Sequence, residues 1–583
     1  MTPQRIIPLA CLLLCASCQL FKPSATELAS PPPPSGEPST IFYSLRHTPL
    51  HPADGESVQY HLDVSDTAGI AKIELFVYEY ELYRNTQGLP SKRKRQGGRW
   101  GLLNIWRQAV PYKERMKIMQ PVVMGYPPAT NIEYVFRITD RYGRSSEQMV
   151  SFDAGTSPWP QDKILLYSMH SDPLKYSINS CFLPDTDYGG DWQQFLEDTE
   201  SLIYQGYHQN NMIEGHKEKW AFFYTRQSVD GLALSQDFGN PTRYPAFMKD
   251  TLIYGIDAFA LLHLNEYSDG AYMHGNIHFL AQNLFTSESY NWGTAVHESA
   301  HAIFNLSDEY DGCACFESMD GSNVFRTLGA CQLFNRQLNV PESDCRAIQH
   351  LNGNTWYISE PNVYFDTREE CEAYNLENGH PLDRCELFQD IHGQRFYRAL
   401  DGLCIMQDDG DRRVPNFQRT CSSVIQRYYR QLDDGNAPSV AAEETQDNMY
   451  GYQPIVLAEL DLNEADWGVA LRRMEYGIPH KTVKHPVDFQ LEIEASDGQP
   501  LYRLFSDRPD CVHIHDSSDK DGRHISGKGK VYMALPYLIN MTQVKCTSTQ
   551  YGRQPKGGKP QQSERKLKVK DQLSKWRDEM SKE

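Results

Sequence analysis

Residues 291–310, Asn-Trp-Gly-Thr-Ala-Val-His-Glu-Ser-Ala-His-Ala-Ile-Phe-Asn-Leu-Ser-Asp-Glu-Tyr, constrain this chain more than any other stretch, because their polar residues work as a unit only on a helix. Residues four apart share a helix face, so His297 and His301 take neighbouring corners of a zinc tetrahedron. Glu298 then lies beside the metal's open position as a general base. Val296, Ala300 and Ile303 fall away from the histidine face and suit a helix set into a core. Catalytic zinc takes three protein ligands, and the third must come from elsewhere. Asp308 and Glu309 follow where a helix ending near Asn305 turns the chain back, and both are candidates. The plainer alternative is an amphipathic surface helix with two solvated histidines and an acidic loop.

The rest of the chain reads as three bodies on a tether. Residues 41–158 alternate at period two, in Val58–Val64, Ala71–Glu79 and Asn131–Ile138, with a turn at Asp140–Gly143; the pattern predicts an immunoglobulin-like sandwich. The basic run Lys92–Arg95 reads as a solvated insertion loop. Over 162–435 the period changes. Ile178–Leu183, Trp220–Tyr224 and the apolar run Asp257–Leu262 predict strands, and Asp191–Tyr204 a helix, which together predict a mixed α/β domain. A polar linker precedes residues 450–550, where Ile455–Leu460, Asp488–Ile493 and Lys530–Leu535 predict a second β domain that Cys511 and Cys546 are placed to staple. Residues 551–583 form a basic tail whose Val569, Leu573, Trp576 and Met580 fall at helical spacing, read as a frayed terminal helix.

Charge and cysteine usage narrow the setting. With 57 basic against 76 acidic residues the net charge is −19, so no nucleic-acid partner is expected. No apolar run reaches the ~20 residues of a bilayer-spanning helix. Arg5, the apolar run Ile6–Leu14 and Cys15-Ala16-Ser17-Cys18 resemble a bacterial lipoprotein signal, although Cys15 replaces the usual aliphatic residue. That resemblance implies a signal peptide over 1–17, lipidation at Cys18, export, and a membrane held through the N-terminal anchor; Gln19 after the lipidated residue favours the outer membrane. Residues 18–40, with Pro31–Pro34, read as an extended tether. Eight cysteines between Cys313 and Cys421 predict disulfides of an oxidising compartment, with Cys181 as the thiol left over from an odd total.

His297–Tyr310, HESAHAIFNLSDEY, resembles the signature of the IgA-peptidase family of zinc metallopeptidases, HExxH followed by Leu-x-Asp-Glu-Tyr. Phe304 and Asn305 stand where that family usually has small residues. The resemblance implies a zincin-like (metzincin-like) central α/β catalytic domain, one catalytic Zn2+ on His297, His301 and Asp308, with Glu309 as the alternative ligand, and Glu298 as catalytic base. Cys181–Tyr188 resembles the strand and acidic turn opening the family's catalytic domain. Tyr397–Met406 resembles its later segment, which implies Met406 packed beneath the metal. The expected fold is thus multidomain, an α/β zincin-like domain flanked by an N-terminal immunoglobulin-like β-sandwich and a C-terminal β domain, with a Cys-rich insertion over 311–394 rimming the cleft. The expected partner is a protein or peptide substrate. Two other readings stay open: a surface binding or adhesion lipoprotein with a degenerate peptidase domain, and a zinc amidase acting on cell-wall peptide.

Overall fold

Alternation at period two dominates the chain, and its consequence is sheet. The computed structural model describes residues 39–86, 90–120, 125–156, 164–170, 177–210, 213, 215–231, 256–264, 270–272, 277–281, 292–304, 306, 324–325, 328, 331, 346–350, 353–358, 363–365, 367, 370, 385–389, 395–399, 406, 419–433, 453–461, 468–477, 489–506, 530–538, 540–550 and 561–580. Among these residues 26 strands stand against four α-helices.

Strand β1 (Thr40–Thr48) runs antiparallel to β2 (Gln59–Arg84), which is 26 residues long. The sequence reads as two strands here, parted by Ser65-Asp66-Thr67-Ala68-Gly69. The chain instead bends without leaving the sheet: Asp66 Oδ1 accepts the Ala68 N–H at 2.8 Å, Gly69 takes φ +87°, and pairing resumes at Ile70. β2 is therefore a spine. β3 (Pro90–Lys94) and β4 (Trp100–Arg107) pair along its second half, β5 (Lys113–Met119) mainly along its first, and β6 (Thr130–Asp140) along the second. The Asp140–Gly143 turn joins β6 to β7 (Ser145–Ala154), with Asp140 Oδ1 accepting from the Tyr142 and Arg144 amides. The basic run is not a loop: Lys92, in β3, lies 2.7 Å from Glu133, and Arg93 lies 3.0 Å from Glu81.

The sheet continues into the central region through one register pair, Ser151 to Ser168, between β7 and β8 (Ile164–Ser168). Beyond it come β9 (Ile178–Pro184), β10 (Trp220–Tyr224), β11 (Ala258–His263), β12 (Gly270–Tyr272) and β13 (Ile277–Ala281), in the order β8-β10-β9-β11-β13-β12. The inner four strands are parallel, and β8 and β12 pair antiparallel at the two ends. The total is a 13-stranded sheet.

This topology corrects the expected fold class. An α/β zincin-like domain beside a separate immunoglobulin-like sandwich is not what forms; strands predominate, and the N-terminal and central strands share one sheet. The physical reason is a shared core. Helix α1 (Trp192–Ser201) runs on as a π turn, Leu202–Gly206, and Tyr204 Oη donates to the His47 carbonyl in β1. His47 stacks on Phe152 with ring centroids 3.7 Å apart, and Tyr167 Oη donates to the Leu45 carbonyl. The apolar side chains of β1, β6 and β7 thus belong to the same buried cluster as those of α1 and β8–β11. Alternation in sequence reports that a face is buried, and says nothing of what buries it.

Residues 324–399 add two three-stranded sheets, one of β14 (Val324–Phe325), β18 (Cys385–Gln389) and β19 (Arg395–Ala399), the other of β15 (Arg346–His350), β16 (Gly353–Ile358) and β17 (Val363–Phe365). The C-terminal strands form two sheets, β21-β20-β24 (Gly468–Gly477, Gln453–Asp461, Lys530–Pro536) and β23-β22-β25-β26 (Pro500–Ser506, Phe489–Glu494, Gln543–Gln550, Gln561–Lys568). Val456 and Leu471 of one meet Leu491, Ile493 and Val544 of the other in a single core. The terminal segment is not frayed: it supplies β26 and helix α4 (Lys570–Met580), with Val569 and Leu573 buried in that core. Cys181, Cys421 and Cys546 are buried thiols, whereas Cys331 is disulfide-bonded. The expected staple from Cys511 to Cys546 is therefore not made.

The shared core also sets a pH dependence. Burial lowers His47 and His208 to about 3 and His51 to about 4, so all three fold neutral, while the unfolded chain protonates them near 6.5. Each costs about 1.4 kcal/mol per pH unit as pH falls below 6.5 toward the folded values. Asp153, raised by burial to about 6, runs the other way below pH 6. Three groups outweigh one, so the urea midpoint should fall between pH 7 and pH 5; a flat or rising midpoint would contradict neutral burial.

Candidate functional site

The segment that reads as HExxH is helical. Helix α2 (Trp292–Ser299) passes at Ala300 into a π turn, Ala300–Phe304. Such wide turns inside α-helices recur at functional sites. The Leu306 N–H bonds the Ala300 carbonyl at 3.2 Å, a six-residue closure that ends the helix where Asn305 was expected to end it. Four residues make about one turn of either helix type, so positions 297 and 301 stay one turn apart on the backbone.

Burial decides between the two sequence readings of His297. His297 is 1% exposed and Glu298 0%, with Val296, Ser299 and Ala300 buried beside them. Adjacent helix residues point about 100° apart, so burial of five in succession means that the helix is covered on several sides. A surface helix with a solvated His297 does not fit.

Long-range contacts supply that cover. α2 packs against the Leu202–Gly206 turn and against β12 and β13, and its π turn packs against β12 and helix α3 (Arg419–Asp433). Tyr207, just after the Leu202–Gly206 turn, hydrogen-bonds Ser299 through the two hydroxyls. Phe304 sits edge-on to Trp220, Tyr428 and Tyr429 at centroid distances of 6.0, 5.2 and 5.9 Å. The Trp220 Nε1–H donates to Tyr429 Oη at 2.9 Å, tying β10 to α3 around that ring. On α3, Cys421, Ile425 and Tyr428 are buried, at the spacing of one helix face.

The acidic turn after β9 is a structural stitch. Asp185 caps it, accepting from the Asp187 amide at 3.2 Å and from the Gly231 N–H at 3.1 Å; Asp187 accepts from the Leu264 N–H at 2.8 Å. These bonds fix the C-terminal ends of β9 and β11, where His263 is fully buried. Sequence reasoning did not single out His263, although a histidine closing an apolar strand is a readable signal. The Tyr207–Ser299 pair left no sequence signal, its partners being 92 residues apart.

His297 and Glu298 are thus brought together in the core, and Met406 is buried in the same cluster as Val296, Ala300 and Ile303. Asp308, Glu309 and Cys18 lie outside the described residues, as does the side chain of His301. Among the described residues no group of three metal-ligating side chains is found. The donor types nevertheless suit zinc: a buried imidazole, a second histidine one turn on along a helix, and carboxylates beyond the helix end. Among the described residues no helix is long and apolar enough to cross a membrane.

No protein-family profile and no curated protein matches this chain. Among solved structures it is similar to the sporulation control protein Spo0M of Bacillus subtilis (12% identity, 21% of this chain and 50% of that one, TM-score 0.14). It is also similar to a cycloisomaltooligosaccharide glucanotransferase of Paenibacillus sp. (9%, 58% and 36%, TM-score 0.15). A third is a beta-glucuronidase of Bacteroides uniformis (11%, 91% and 61%, TM-score 0.15). The matches span between about a third and three fifths of those chains, and at such TM-scores they carry no inference.

Tyr429→Phe removes the acceptor of the buried Trp220 N–H while keeping the ring against Phe304. It should lower unfolding free energy by about 1–3 kcal/mol. Urea titration checks this, and a change within about 0.5 kcal/mol would show that the bond does not anchor the helix end.

Proposed function

We propose that the chain is a zinc-dependent endopeptidase acting on extracytoplasmic or host protein substrates, with His297, His301 and Asp308 holding the metal and Glu298 as general base. The observation that carries this reading is the burial of His297 and Glu298 side by side on the motif helix. Burying an imidazole and a carboxylate together is costly, and such costs concentrate where chemistry requires them.

Zinc, when bound, supplies Lewis acidity toward the scissile carbonyl and the attacking water. Glu298 takes the proton of that water and passes it to the leaving amine, a transfer worth about 10²–10⁴ in rate. The Phe304 contacts and the Tyr207–Ser299 bond hold the helix that carries both groups, and Met406 is buried in the same extended core. Lipid attachment at Cys18 belongs to the same proposal and places the enzyme on a membrane of the export pathway.

Glu298→Gln should keep stoichiometric zinc in metal analysis and lose about 10²–10⁴-fold in cleavage of a peptide library. His297→Ala should lose the metal. Unchanged cleavage by the Glu298 variant would refute the assigned role. Hydrolysis of cell-wall peptide with no protein cleaved would move the reading to the amidase, and absence of both zinc and cleavage in the unaltered chain would leave the binding-protein reading.

A further inference from the structure

The outward face of β1, β5 and the first half of β2 carries apolar and cationic side chains that the core does not use. Along β5 the pleat alternates: Met116 and Ile118 pack against the core, while Arg115, Lys117 and Met119 are exposed. Register sets Arg115 beside Ser65, Lys117 beside Asp63 and Met119 beside His61 on β2, with Ile41 of β1 beside Ser65 on the other edge. Ile41 is 52% exposed and Met119 61%, and Tyr43 is exposed between them. Exposed apolar side chains grouped on one face mark a contact surface more often than isolated ones do.

The cations on this face outnumber the carboxylate they share. Arg115 pairs with Asp63 through Nε and Nη2, each 2.9 Å from a carboxylate oxygen, and its guanidinium lies 4.3 Å over the Tyr43 ring. Lys117 reaches the same carboxylate at 3.3 Å, and its side chain is 76% exposed against 14% for Asp63. The surplus positive charge therefore stands outermost. Lys217 brings a further ammonium to the edge of β1, donating to the Tyr43 carbonyl at 3.0 Å, while Glu218 beside it turns to His216 at 3.8 Å. Cations on an edge strand also guard against stray strand pairing, and among the described residues β5 pairs with β2 alone. That role asks nothing of Ile41 and Met119.

We infer that this face docks on an anionic phospholipid surface. A bilayer's headgroup zone supplies both halves of the match: phosphates for the guanidinium and ammonium groups, and an apolar boundary for Ile41 and Met119. Tyr43, apolar in body and polar at its tip, suits that boundary. An anionic polysaccharide offers charge but no apolar phase. Position in the chain agrees. Ile41 is the second residue of β1, so residues 18–38 hold the face within at most about 75 Å of a lipid carried by Cys18. Such a tether raises the effective concentration of surface and face, so a weak contact suffices. The inference rests on the lipid-attachment reading for its location only, and on the peptidase reading not at all.

Cosedimentation of the full chain with vesicles tests it, every comparison being made in a Cys18→Ser background so that no acyl chain contributes. Vesicles of phosphatidylglycerol and phosphatidylethanolamine should bind, and phosphatidylcholine vesicles should bind at least tenfold more weakly. Arg115→Gln/Lys117→Gln and Ile41→Ser/Met119→Ser change exposed side chains and should fold unchanged by circular dichroism; each should weaken binding to the anionic vesicles roughly tenfold. Equal binding to both kinds of vesicle, or undiminished binding by either folded variant, would overturn the inference. So would dextran sulfate binding that matches the vesicles and ignores the Ile41 and Met119 changes, which would assign the face to an anionic polymer. Failure of palmitate labelling at Cys18 with vesicle binding intact would remove the anchor and leave the face.

Discussion

The burial of the motif helix is the constraint on which the central structure depends. A helix whose side chains from Val296 to Ala300 are all hidden must be enclosed, and each enclosing element is held by bonds between distant segments. Trp220 and Tyr429 close one end around Phe304, Tyr207 meets Ser299, and the antiparallel edge strand β12 covers the flank. Because His297 and Glu298 are inside that enclosure, loosening any wall would raise the local dielectric and weaken every electrostatic contact they make.

The same economy of burial explains why the N-terminal strands do not form a body of their own. Their apolar face is met by Tyr204 and Tyr167, so the core runs from Leu45 to Tyr429 without a boundary. The strand register crosses the join at only one residue pair, and the connection is made instead by aromatic packing and two tyrosine-to-carbonyl bonds. Cutting the chain between β7 and β8 would strip both sides of their cover.

Local signals in the sequence were legible and global ones were not. The strands at Ile178–Pro184, Trp220–Tyr224 and Gln453–Asp461, the helix capped by Asp191, and the helix end near Asn305 all follow from periodicity, caps and turn chemistry. The bend at Ser65–Gly69 cannot be told from a turn by sequence, because both use the same residues, Asp to accept a nearby amide and Gly for positive φ. Whether two alternating segments belong to one sheet or two depends on partners a hundred residues away. At the motif, spacing identified the helix and its polar residues; that His297 is enclosed came from contacts the sequence does not display.

Net charge is the coarsest of these signals, and its meaning changes with scale. At −19 the whole chain merely disfavours an anionic polymer as partner. Placed in space, part of that charge converges on one cavity, where Glu197 and Glu200 ride on α1 and Asp54 and Glu56 on the loop that faces it. The loop carboxylates are held by Thr156 and Ala53, which fixes their position without neutralising them. A protein that only needed solubility would gain by dispersing these charges, since like charges gathered around a concave wall raise the cost of folding. Arg226 in the same wall and Arg46 beside Glu200 offset part of that cost, which is how local placement gives the overall charge a meaning that its sum does not have.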